Sequence, residues 1–116
     1  MNKWVGFLAA ALLSVLALAE QIGAPTLSSQ PPLVIDVRTA DEYRQSHVQD
    51  AINIPYEQIG SHIAAVAPDR TAPLVLYCRS GRRSGVAEQT LRRMGYRQIE
   101  NKGGLGDMQR SGYSIR

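Results

Sequence analysis

Three features of this 116-residue sequence predict an α/β fold with a central, mainly parallel sheet and helices on both faces. Short apolar runs at Leu33–Val37, Ala51–Pro55 and Leu74–Tyr77 alternate with segments whose apolar residues recur at helical spacing. Such alternation is what a parallel sheet covered on both faces requires. The length leaves room for one folded domain. The third feature is Cys78-Arg79-Ser80-Gly81-Arg82-Arg83-Ser84-Gly85, which directly follows an apolar run and reads as a strand end, a tight cationic loop and the first turn of a helix.

The N-terminus does not belong to that domain. Asn2 and Lys3 precede an apolar run from Trp4 to Ala19, and Ala17-Leu18-Ala19 before Glu20 has the small-residue pattern of a signal-peptidase site. The run is shorter than the roughly 20 apolar residues of a spanning helix. Residues 1–19 therefore read as a cleaved signal peptide, which makes the product periplasmic or secreted, with no stable membrane span after cleavage. An uncleaved anchor is the competing reading. Residues 20–32 are polar, carry Pro25, Pro31 and Pro32, and read as a linker to a domain spanning 33–116.

Leu33-Val34-Ile35-Asp36-Val37 reads as a short buried strand ending at Arg38. Thr39 with Glu42 three positions on is a capping-box pattern, which starts a helix over Ala40–Gln45. Ala51-Ile52-Asn53-Ile54-Pro55 alternates and is closed by proline, as expected near a sheet edge. Ile59, Ile63, Ala64, Val66 and Ala67 form a helical apolar face that stops at Pro68 and leaves His62 in solvent. Leu74–Tyr77 is the next strand. Beyond the cysteine loop, Val86, Ala87, Thr90, Leu91 and Met94 read as the core face of a helix with Gly95 at its C-terminal cap. Tyr96–Glu100 reads as a weak last strand, Gly103-Gly104 as a turn, and Leu105–Gln109 as one more helical turn.

Cys78 is the only cysteine, so an intramolecular disulfide scaffold is excluded, as are metal sites built on paired cysteines. His47 and His62 lack ligand spacing, and no metal is implied. Removing Lys3 with the leader lowers the formal net charge from +3 to +2, so bulk charge says little. Its distribution says more. Arg79, Arg82 and Arg83 crowd one loop, and no acidic residue lies between Asp69 and Glu88. A nucleic-acid surface would need a basic stripe interleaved with aromatics, which this sequence lacks. A thiolate at Cys78 would face the unpaired N–H groups at the start of the following helix, where negative charge is favoured. Cysteines in such surroundings have pKa values lowered from about 8.5 to roughly 3.5–7.5 and are nucleophilic at neutral pH. In parallel α/β sheets ligands bind beyond the carboxyl ends of strands, which makes Arg38, at another such end, an expected neighbour of Cys78.

Asp36-Val37-Arg38, Glu42-Tyr43, His47-Val48 leading into Ala51-Ile52-Asn53-Ile54-Pro55, the run Cys78–Ser84, and Gly103-Gly104-Leu105 stand in an order and spacing that resemble a single-domain rhodanese, a thiosulfate sulfurtransferase, of the small exported type. The resemblance runs from about Leu33 to the C-terminus. It implies a double displacement in which Cys78 takes a sulfane sulfur from thiosulfate and passes it as a persulfide to cyanide or another thiophilic acceptor, without a cofactor. It also implies that Arg79, Ser80, Gly81, Arg82, Arg83 and Ser84 form the substrate-binding loop, with Asp36 and Arg38 in support. His47 is expected to pack and hydrogen-bond. Asp50 stands where the family commonly has glycine, so a left-handed turn is expected there.

Two other readings compete. One is a persulfide carrier that serves a periplasmic thiol or protein acceptor. The other is a cysteine phosphatase or arsenate reductase-like enzyme. That class needs arginine six positions after the cysteine, whereas position 84 is Ser and the arginine falls at 83. A shorter ring of amides suits a sulfur atom better than a tetrahedral phosphate.

Overall fold

The computed structural model describes residues 30–116. The leader and most of the linker lie outside the described residues. Four parallel strands, β1 (Leu33–Asp36), β2 (Ile52–Asn53), β3 (Leu74–Cys78) and β4 (Ile99–Gly104), form one sheet in the order β2-β1-β3-β4. Four α-helices connect and cover it: α1 (Ala40–Gln45), α2 (Ile59–Val66, entered through a 3₁₀ turn at Tyr56–Gln58), α3 (Arg82–Arg93) and α4 (Leu105–Arg110).

Strand alternation divides the core into two. Ile35, Val37, Leu74, Leu76 and Cys78 face Ile59, Ile63 and Ala67 of the α2 region and Ala87 and Leu91 of α3. Val75 and Tyr77 point the other way, to Val48, Ala51, Met108 of α4 and Tyr43 of α1. All five residues of β3 are buried, as a central strand with both faces covered demands.

Local signals account for most boundaries. Thr39 Oγ1 accepts the Glu42 N–H and the Glu42 carboxylate accepts the Thr39 N–H, so α1 begins at the residue its capping box specifies. Asp50 does adopt the left-handed conformation, with φ 68°. Antiparallel pairing of Val48 with Ile115 ties the last residues to the turn before β2.

Three expectations need correction. The last strand is Ile99–Gly104, not Tyr96–Glu100, and the paired glycines end that strand instead of forming a separate turn. Tyr96 is a core residue whose hydroxyl donates to the Ala67 carbonyl while the Arg70 guanidinium lies over its ring at 4.6 Å. Val86 and Val66 are exposed large apolar residues and Ala64 is exposed, because the inward stripes of α3 and α2 run through Ala87 and Leu91 and through Ile59 and Ile63.

Candidate active site

Cys78 ends β3, and its side chain lies on the α2 and α3 face, nearly fully buried. The chain then reverses at Gly81, whose φ of 101° is a left-handed conformation that an L side chain would strain. This reversal aims the Gly81 N–H at the sulfur, 2.9 Å from Sγ. Ser84, in the first turn of α3, brings its Oγ to 3.5 Å. Burial pushes the Cys78 thiol up, but the Ser84 hydroxyl and the main-chain N–H groups of Ser84, Gly81 and Ser80 together outweigh it and draw the thiol down to about 7. Hydrogen bonds to the charged form dominate here, and most come from the backbone.

The loop is held from outside by β4. The register of β3 and β4 shifts between Leu76 and Cys78, which sets Cys78 opposite Gly104. A Cβ on Gly104 would overlap the Arg79 carbonyl oxygen, so glycine is needed there for close backbone approach. Asn101 contributes side-chain contacts: Ser84 Oγ lies 2.7 Å from its Oδ1, its Nδ2 donates to the Gly81 carbonyl at 3.3 Å, and Oδ1 also accepts the Gly103 N–H at 2.9 Å.

The three arginines of the loop have different surroundings. Arg83 reaches across the carboxyl end of the sheet and donates to both oxygens of Glu42, at 2.7 and 3.0 Å. That pairing with Arg83 is the main reason the Glu42 carboxyl is held down at about 2. Arg79 and Arg82 are exposed and have no acidic partner among the described residues. Two guanidinium groups therefore face solvent beside a buried, ionisable sulfur.

Asp36 and Arg38 form a separate buried unit. Arg38 Nε and Nη2 donate to the Asp36 carboxylate, the second at 2.7 Å, and Nη2 also donates to the Ser46 carbonyl at 2.6 Å. Tyr77 Oη donates to Asp36 Oδ2 at 2.7 Å and accepts the Val48 N–H at 3.0 Å. Arg38 lies over the Tyr77 ring, on the opposite face of the sheet from the Cys78 side chain. The two strand ends are adjacent, but side-chain alternation turns the Arg38 guanidinium away from the sulfur. His47 stacks on Tyr43 with ring centroids 3.7 Å apart, and its Nδ1 lies 2.7 Å from the Tyr43 carbonyl oxygen.

The sequence reading assigned no role to Asn101 and did not connect Glu42 to Arg83. A polar residue inside a strand just before paired glycines was the available signal for the first. The second pairs residues 41 positions apart and has no local signature.

Fold and loop together define a class: a small parallel α/β domain with a lowered-pKa cysteine held by main-chain donors at a helix start. Comparison with known proteins gives that class its family. A sequence profile of the rhodanese-like domain matches residues 17–110. The thiosulfate sulfurtransferase PspE of Escherichia coli (strain K12) is 43% identical over 94 residues, which cover 81% of this chain and 88% of that protein. A sulfurtransferase of Allochromatium vinosum is 32% identical over 98 residues, covering 84% of this chain and 90% of that one. Among solved structures, a rhodanese with anions from E. coli superposes with a TM-score of 0.69 at 41% identity, covering 74% of this chain and 98% of that one. This chain belongs to the rhodanese family and is an enzyme of the sulfurtransferase class.

Proposed function

We propose that this protein is a thiosulfate sulfurtransferase acting by double displacement through Cys78. The observation that carries the reading is the Gly81 N–H at 2.9 Å from Sγ, inside a loop whose exposed Arg79 and Arg82 have no acidic partner among the described residues. The Cys78 thiolate attacks the sulfane sulfur of thiosulfate, the sulfur–sulfur bond breaks, and sulfite departs with the bonding electron pair. The persulfide that remains is an anion at neutral pH, and the N–H groups of Ser80, Gly81 and Ser84 suit its charge as they suit the thiolate. Cyanide or another thiophile then removes the outer sulfur, which regenerates the thiolate. Splitting the transfer into two steps predicts ping-pong kinetics.

Arg79 and Arg82 gather the dianionic donor, while Arg83, held by Glu42, fixes the loop over the sheet. Asp36 and Arg38 support the neighbouring strand end. The leader pattern of residues 1–19 supports export, so the acceptor pool is that of an extracytoplasmic compartment, and an exported thiol or protein is the alternative acceptor to cyanide. The site is tested by intact-mass analysis after treatment with thiosulfate. Wild type gains the mass of one sulfur atom and loses it on adding cyanide, whereas Cys78→Ala gains nothing and remains folded. A Cys78→Ala variant that still transfers sulfur overturns the assignment. Turnover with cyanide, glutathione and a periplasmic extract distinguishes the acceptors.

A further inference from the structure

The Ser84 hydroxyl has one proton and three acceptors. Cys78 Sγ lies at 3.5 Å, the Gly81 carbonyl oxygen at 3.0 Å and Asn101 Oδ1 at 2.7 Å. The amide cannot be turned round to relieve that competition. Its Oδ1 accepts the Gly103 N–H at 2.9 Å and its Nδ2 donates to the Gly81 carbonyl at 3.3 Å, so exchanging the two atoms would set donor against donor and acceptor against acceptor. Asn101 therefore presents Ser84 with an oxygen that can only accept. When Sγ is protonated, the chain S–H to Oγ, O–H to Oδ1 satisfies every group. When Sγ is an anion, the hydroxyl turns toward sulfur and leaves two oxygens facing each other without a proton between them.

We infer that Asn101 is a positioning residue that draws the Ser84 hydroxyl away from Cys78 and so favours the protonated sulfur over the anion. This rests on Cys78 being the reactive group, and it adds a tuning residue on β4 to the donors of the loop. Asn101 thus opposes the main-chain donors and keeps a share of the sulfur protonated near neutral pH. Alanine at position 101 leaves a position open to water, which can donate as well as accept, and leucine removes the acceptor without replacing it.

The charged groups on the elements that meet at this corner include Arg79 and Arg82 of the loop, Arg83 and Glu88 of α3, Glu42 of α1, Asp36 at the end of β1 with Arg38 just beyond it, Glu100 and Lys102 of β4, and Asp107 and Arg110 of α4. The histidines nearest in sequence to these elements, His47 and His62, are bonded to the Tyr43 and Gln58 carbonyls respectively. All of these are common to the wild type and to the variants below.

The test is the pH profile of Cys78 alkylation by iodoacetamide, which needs no sulfur donor and is independent of whether thiosulfate is the substrate. Asn101→Ala and Asn101→Leu are expected to shift the profile to lower pH, with alkylation at pH 6 about threefold faster, corresponding to about half a pKa unit. In a Ser84→Ala background the same substitutions leave the profile where Ser84→Ala alone puts it. A profile that stays in place or moves to higher pH in the single variants overturns the inference. So does a downward shift that survives without the Ser84 hydroxyl, because loop loosening would then be the cause. A shift as expected, together with failure to form a persulfide, would leave the tuning intact and remove the sulfurtransferase site.

Discussion

Two adjacent strand ends of the same sheet carry arginine, and they use it in opposite ways. Beyond β1, Arg38 is buried against Asp36, Tyr77 and the Ser46 carbonyl, so its charge is consumed within the fold. Beyond β3, Arg79 and Arg82 are exposed without acidic partners among the described residues, while the buried group is a sulfur that accepts a main-chain N–H bond. A compensated charge fixes structure, whereas an uncompensated one is available to an incoming anion. This difference separates a support from a site more reliably than proximity does.

The largest effect should come from breaking the compensated end. Arg38→Leu leaves the Asp36 carboxylate buried without its cation, which typically costs about 3–5 kcal/mol. Urea denaturation measures it, and a loss below about 1 kcal/mol would show that the Tyr77 hydroxyl and the main-chain N–H of residue 38, which donates to Asp36 Oδ1 at 2.9 Å, suffice for Asp36. Next is Gly104→Ala, where the new methyl collides with the Arg79 carbonyl. Overpacking of that kind costs about 1–3 kcal/mol, and the displaced loop should also slow Cys78 alkylation. Wild-type reactivity in this variant would mean that the loop does not depend on β4.

At the open end the effects are smaller and concern substrate. Arg82→Ala should raise the Michaelis constant for thiosulfate about three- to tenfold with turnover changed less, and high salt should shrink the difference. A fall in turnover alone would place Arg82 in the chemistry instead. The smallest effect is expected between the two ends, at Glu42. Its carboxyl lies at about 2 in the folded protein against an ordinary 4.5, chiefly through Arg83, so its contribution to stability is present above pH 4.5 and is lost as pH falls toward 2. Glu42→Gln should therefore be less stable than wild type at pH 7 by denaturant titration, with the gap closing toward pH 2. A gap independent of pH would assign the effect to the neutral amide's packing and hydrogen bonds, since glutamine keeps the capping box, and not to the lost charge.

Much of this contrast was legible in the sequence because its signals are local. Thr39 and Glu42 marked the start of α1, and Cys78 with Gly81 and three arginines marked the tight cationic loop between β3 and α3, while the family resemblance marked the left-handed turn at Asp50. What escaped depends on contacts between distant segments. Gly103-Gly104 looked like a turn, yet those glycines belong to a strand because the Arg79 carbonyl packs against its end. Strand parity turns Arg38 away from Cys78 although both sit at strand ends. Val86 fits a helical apolar pattern, but its place on the helix is decided by which side Ala87 and Leu91 must bury.

Because Gly81, Ser80 and Ser84 serve the sulfur largely with peptide nitrogens, the side chains at 79, 80 and 82 are released from that duty. Substrate preference can then drift or be redesigned at those three positions while the acidity of the thiol is inherited from the trace of the chain.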